Sequence, residues 1–423
     1  MRLLPCGVAT VEVTPPPGLR MAGFAARTEP ATGAHDALTV RALAVGDTAV
    51  AVADVIGLDE ALCARVRARL SLPGAATILA ATHTHGGPMT LPGRFGGGVD
   101  AAWLGRLEDG FVEAIHGALA ARRPATLTLA HAADPGVAKN RRHPGGLTDP
   151  SLPVVRVTGT DGTTLAVLVA YACHPVVLGA DNRLWTADYP GFVRRRIEAA
   201  VPGATALFLT GCCGDANTGH TAAASLTRAA AEGRTYAAAD AYADRIADAA
   251  LTARPAATAT GPARGGSATV RLDFVREARP VGDLAADWRA ERATATDPVR
   301  AVVLDHWIAW AEGPGAGPLT PHDARVGVLD WGGVRIAALP GEIFAETGLS
   351  VRTGLDGRPT GGGTIAVAYA DGCPGYVPPL SEIPHGGYEV AEAHRYFATP
   401  GPFAPGTAER LAEAAVRVGR EAG

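Results

Sequence analysis

Three of the twelve histidines stand where metal chemistry is easily built. The segment Ala80-Ala81-Thr82-His83-Thr84-His85-Gly86-Gly87-Pro88 places an H-x-H at the end of an apolar, strand-like run that opens into a glycine-rich loop. Residues two apart on a strand face the same side, so His83 and His85 are expected to point into one cavity. His174 closes a second apolar run, Tyr171-Ala172-Cys173-His174-Pro175, where the proline stops strand pairing. Imidazoles at strand ends beside loop-forming residues suit a zinc site at the edge of a sheet, because Zn²⁺ takes nitrogen ligands held on a rigid support. The alternative for each histidine taken singly is an ordinary hydrogen-bonded residue.

Other segments add donors. In Ala338-Leu339-Pro340-Gly341-Glu342-Ile343-Phe344 a carboxylate follows Pro-Gly where a strand ends and a helix, Glu342 to Leu355, is expected to begin. Glu342 is then either a charge complement to the helix N-terminus or a metal ligand. Two of the eight tyrosines, Tyr376 and Tyr388, fall in one Gly/Pro-rich stretch after the expected strand Thr364 to Tyr369. A further strand and loop, Phe208 to Thr218, carries Cys212, Cys213 and Asn217. Adjacent side chains do not comfortably share one zinc, so both cysteines are expected to be buried packing residues. None of the six serines lies in G-x-S-x-G, which excludes a nucleophile elbow. The only lysine, Lys139, is followed by Asn140-Arg141-Arg142, which excludes a phosphate-binding P-loop.

Short β-rich runs alternating with Ala/Arg/Leu helical runs must position these groups, and they predict an α/β (α+β) fold of mixed sheets flanked by helices. Expected strands include Thr39 to Val45, Thr77 to Ala81, Leu165 to Cys173, Ala204 to Leu209 and Val334 to Leu339; expected helices include Ala101 to Ala121, Pro190 to Ala200, Thr221 to Ala253 and Leu284 to Ala311. We read residues 1–423 as a single catalytic domain with a helical insertion at about 276–322. Its Trp288, Trp307 and Trp310 are either an apolar cover over the site or an ordinary packing core.

Composition narrows the partners. The chain has 423 residues, 47% apolar and 19% charged, with a net charge of −4, so no general field attracts phosphates and nucleic acid is excluded. All but one of the 38 basic residues are Arg and Gln is absent, a codon-pressure pattern that gives little weight to any single Arg. Six cysteines without a C-x-x-C pair argue for reduced thiols in a cytoplasm. The start lacks the apolar stretch of a signal peptide, and the longest apolar run, Leu165 to Cys173, falls short of the ~20 residues of a spanning helix. The expectation is a cytoplasmic protein off the membrane, acting on a small molecule, with a homodimer as the base-rate assembly.

Taken in order, these segments resemble the neutral ceramidase family, the zinc-dependent neutral/alkaline non-lysosomal amidases. The resemblance begins at Gly7-Val8-Ala9-Thr10-Val11-Glu12-Val13-Thr14-Pro15, passes through His35-Asp36-Ala37-Leu38 and reaches the Tyr388 region. It implies that His83, His174, Glu342 and Tyr376 are zinc ligands, carried over from T-H-T-H, the strand ending in H-P, P-G-E-[IF]-F and the G-Y-V-x-P loop. It also implies that His85 is an active-site histidine, that Tyr388 is a second active-site tyrosine, and that Arg141, in Lys139-Asn140-Arg141-Arg142, binds and polarises the substrate carbonyl. The family's G-D-x-S-P-N loop is here Gly214-Asp215-Ala216-Asn217-Thr218, with Asn217 in place of a serine. The family's secretion signal and C-terminal immunoglobulin-like domain have no counterpart in this sequence, which points away from ceramide. The resemblance thus implies a zinc-dependent hydrolase cleaving an N-acyl amide of a soluble small molecule with a zinc-activated water. Ester or lactone hydrolysis, and acyl transfer or cyclisation in a biosynthetic pathway, remain the alternatives on the same scaffold.

Overall fold

Period-two alternation of apolar side chains builds two stacked sheets. The structure, a computed structural model, describes residues 2–222 and 233–423. The larger sheet has the strand order Thr205–Thr210, Thr164–Tyr171, Leu152–Gly159, Arg123–Ala132, Leu4–Glu12, Thr39–Val45, Thr48–Ala53, Thr77–Ala81, with Arg254–Thr258 paired to Arg123–Ala132. The smaller has the order Ala263–Leu272, His322–Trp331, Arg335–Ala338, Thr364–Val367. Leu43, Val45, Val50 and Val52 pack with Leu329, Trp331, Ile336 and Ile365 of the smaller sheet. The alternate residues Val40, Ala42, Ala49 and Ala51 pack with Leu107, Phe111 and Ile115 of the helix Ala101–Ala120. Helices Asp188–Ala200 and Tyr236–Leu251 cover Val154, Val167 and Val169, and helix Thr407–Ala422 covers Val326 and Val328. The fold is mixed α/β, with helices outside two facing sheets.

Most expected strands and helices are present with ends shifted by a residue or two, but four expectations need correction. The expected helix Leu284 to Ala311 is two helices, Val281–Thr294 and Pro298–Glu312. Asp297 caps the second, accepting from Val299 N at 2.9 Å, and Pro298 occupies its first turn, where a missing N–H costs nothing. Glu342 is not in a helical first turn: it lies in the short strand Glu342–Ile343, and the helix starts at Ala345. Of the expected helix Thr221 to Ala253, residues 223–232 lie outside the described residues, and the helix seen is Tyr236–Leu251. Finally, His83 is off the strand, which ends at Ala81, and has φ 64°, so strand alternation is not what aims it. No described helix is long and apolar enough to cross a membrane.

Candidate metal centre

Six strands deliver the site from their C-terminal ends. Parallel pairing aligns Thr77–Ala81 with Thr48–Ala53, Thr205–Thr210 with Thr164–Tyr171, and Thr364–Val367 with Arg335–Ala338. Bridges Ala80 to Ala370 and Gly211 to Val367 then tie the ends of the two sheets together. This convergence gathers His83, His174 and Glu342, all buried, with ligand atoms within 4.8 Å of one another. Glu342 Oε2 lies 2.9 Å from His174 Nε2 and 3.4 Å from His83 Nε2.

Both rings are held from behind by backbone carbonyls. His83 Nδ1 donates to Ile56 O at 2.5 Å, and His174 Nδ1 lies 2.6 Å from Cys213 O and 3.2 Å from Ala216 O. A carbonyl only accepts, so each Nδ1 carries a proton, and each Nε2 is the atom left facing Glu342. Burial pushes His174 down to about 4, keeping it neutral at physiological pH. Burial pushes the Glu342 carboxyl up, but His83 and His174 outweigh it and hold the group well below the usual range. Two imidazoles anchored through Nδ1 and a carboxylate facing both rings are a donor set for a divalent ion such as Zn²⁺, and the residues present fit that ion.

Two more features mark the site. His83 at φ 64° and Tyr369 at φ 54° occupy the left-handed region, at about 1–2 kcal/mol each for a residue with a side chain. Their rings stack at 3.9 Å, and Tyr369 Oη lies 3.3 Å from His174 Nε2. Glu342 and Tyr376 are direct partners in a two-stranded parallel ladder, so this pairing, not a helix, puts carboxylate and phenol side by side. Gly341 permits it: at φ 89°, a Cβ there would sit 2.6 Å from Gly375 O.

Arg141 lies behind Tyr376 and is not on the cavity wall. Its Nη2 donates to Tyr376 Oη at 2.9 Å and to Gly214 O at 2.9 Å, and its Nε to Glu389 Oε1 at 2.8 Å. Arg142 donates to the other Glu389 oxygen at 2.6 Å and to Glu382 at 2.8 Å. One buried carboxylate thus ties Arg141 and Arg142, which follow the short strand Lys139–Asn140, to the tyrosine-bearing segment. Sequence reasoning missed Glu389, whose only signal was adjacency to Tyr388, and it missed Tyr369, read merely as a strand end. It also missed Ile56, which acts through a backbone carbonyl that no side-chain pattern encodes.

A cavity of about 260 Å³ opens on the site. His85, Glu342, Tyr376 and Tyr388 form its floor; Phe24, Met89, Leu91, Phe95 and Phe397 supply apolar wall. His85 Nε2 is 3.4 Å from His83 Nε2, while its Nδ1 is buried without a hydrogen-bond partner. Burial pushes His85 well below its ordinary value, and burial pushes Tyr388 up. The two helices that follow strand Ala263–Leu272 pack Trp288, Trp307 and Trp310 together, and Trp307 with Arg300 reaches the cavity wall. Arg94 also lines the cavity, with its guanidinium 4.5 Å above the Phe397 ring centre.

Cys212 and Cys213 are buried and unpaired, as packing residues should be, and burial pushes both thiols up. Asn217 is buried in its loop, where Oδ1 accepts from Gly219 N at 2.7 Å and His220 N at 2.9 Å. Its amide shapes the turn rather than reaching a reacting group.

The fold and the strand-end site define a class: the chain has a neutral ceramidase-like fold. It aligns over 99% of its length with the neutral ceramidase of Pseudomonas aeruginosa, covering 74% of that chain at TM-score 0.76 and 16% identity. It aligns over 100% of its length with a ceramidase complexed with C2, covering 76% of that chain at TM-score 0.75 and 16% identity. No family model and no curated protein matches the sequence.

Proposed function

We propose that this protein is a zinc-dependent hydrolase cleaving an N-acyl amide bond of a small molecule. The observation that carries the reading is the buried His83, His174 and Glu342 group, with both imidazoles anchored through Nδ1 and both Nε2 atoms turned to the carboxylate at the floor of an apolar cavity. The ceramidase neighbours, whose name denotes cleavage of an N-acyl amide, support it. His83, His174, Glu342 and Tyr376 would hold the ion. Bound there, Zn²⁺ supplies Lewis acidity and brings the pKa of water to about 7.

The chain's own residues do the rest. Arg141, fixed by Glu389 and Gly214, orients the Tyr376 phenol; burial pushes that phenol well up, and the facing guanidinium partly offsets the rise. That is a positioning role, in place of direct contact with the substrate carbonyl. His85 and Tyr388 stand on the cavity floor, where they can steady the developing oxyanion and deliver a proton to the leaving nitrogen. The apolar wall takes the acyl group and excludes water. The test is metal content together with turnover of matched N-acyl amides and esters. About one zinc per chain and amide cleavage that is lost on chelation and restored by zinc are expected. A zinc-loaded protein that cleaves only esters, or neither compound, overturns the amidase reading.

A further inference from the structure

We infer that Arg94 is the anion-recognition residue of the cavity, and that the substrate is an amide bearing a carboxylate. The inference rests on the amidase reading above and sharpens its substrate class. Among the described residues Arg94 has no hydrogen bond or ion pair, and its Nη1 is buried without a partner. Its one specific contact is the Phe397 ring, 4.5 Å from the guanidinium carbon, which fixes the plane of the group and satisfies none of its N–H donors. Guanidinium groups lose water at a cost, and buried ones are normally paired with an acid.

Arg300 and Glu342, which also line the cavity, are paired within the protein. Arg300 is held by both Glu291 oxygens, at 2.6 and 2.9 Å. Glu392 also lines the cavity, and among the described residues its side chain has no hydrogen bond or ion pair. Glu342 is committed to His83 and His174. Glu60, another acid whose charge reaches Arg94, is bonded to His322 at 3.1 Å. Arg94 is therefore a cation on the wall of an apolar cavity with no protein counter-charge in contact, and the planar, multi-donor fork it offers matches a carboxylate. That carboxylate belongs either to the amine half, as in an N-acyl amino acid, or to the acyl half, as in a dicarboxylic acid monoamide.

The experiment compares N-decanoylglycine and a decanedioic acid monoamide with the neutral N-decanoylethanolamine, using zinc-loaded wild type, Arg94→Met and Arg94→Lys. The expected result is a preference of about 100-fold in kcat/KM for one of the two anionic compounds, the scale of a desolvated charge pair. The preferred compound identifies the half that carries the carboxylate. In Arg94→Met the ratio to the neutral amide falls to near one, with partial recovery in Arg94→Lys. Removing an unpaired cation leaves the fold intact, and thermal unfolding of both variants checks this. Equal rates of wild type on all three compounds, or an unchanged ratio in Arg94→Met, overturns the inference. If wild type cleaves none of them, the amidase reading falls by itself, and calorimetric titration of the same compounds still decides the role of Arg94. Tighter binding of an anionic compound that Arg94→Met abolishes upholds it, and equal affinities for anionic and neutral compounds refute it.

Discussion

The floor and the wall of one cavity are built on opposite rules. On the floor, each metal-site imidazole has its outer nitrogen on a backbone carbonyl, Glu342 faces both rings, and Tyr376 is held by Arg141, which is in turn held by Glu389. Every protein-facing polar atom in that chain has a partner. On the wall, Arg94 Nη1 is buried with none. The difference teaches that the protein uses its own hydrogen bonds to fix the candidate metal donors and leaves a group on the cavity wall uncommitted, the division expected between a preorganised centre and a recognition surface.

The largest effect should come from breaking the floor. His174→Ala is expected to reduce zinc from about one per chain to near zero and to lower kcat/KM by about 10³-fold or more, the Lewis-acid contribution. Metal retained at wild-type level would show that the gathered residues are a hydrogen-bonded cluster and no centre. Next in size, Glu389→Gln removes the shared counter-charge of two buried arginines and should cost about 3–5 kcal/mol by denaturant unfolding. A loss below about 1 kcal/mol would show that the tie to the tyrosine segment is ornamental.

Gly341→Ala tests the ladder that sets Glu342 beside Tyr376. The added Cβ meets Gly375 O at a left-handed φ, so a loss of about 1–3 kcal/mol and weaker zinc retention against a chelator are expected together. Stability loss with zinc affinity intact would separate the strand pairing from the centre. The smallest effect lies outside the cavity, at the thiols. Burial pushes Cys6 up to about 12 and the other cysteines up as well, so the native protein keeps its thiols protonated at pH 8.5. Iodoacetamide at that pH should label almost none of the six cysteines until the chain is unfolded. Because unfolded thiols ionise near 9 while native ones resist, stability from this source is full below pH 9 and declines as pH rises above it. Fast native labelling at pH 8.5 would contradict the close packing around the strand ends.

How far the sequence reached depended on whether the signal was local. Period-two runs such as Thr39–Val45 and Thr77–Ala81 were legible to the residue, because side-chain alternation and burial are written in neighbouring positions. The Pro298 break was equally local, yet the apolar run across it masked two helices as one. His83, Glu342 and Tyr376 were recognisable by motif, but the expected reasons for their placement failed. His83 is aimed by a left-handed backbone and not by strand alternation, and Glu342 by a parallel ladder to residue 376 and not by a helix start.

The sequence by itself determined the sheet-and-helix pattern, the strand-end histidines and the exclusion of serine-elbow and P-loop chemistry, since all of these depend on residue type and short spacing. Only the tertiary structure decided that Arg141 stands behind Tyr376, that Glu389 links Arg141 to Arg142, and that Arg94 faces the cavity without a partner. Those facts are contacts between residues up to 248 positions apart. Pairing at such separations is fixed by how the two sheets stack and where their strand ends converge, which no local pattern of side chains records.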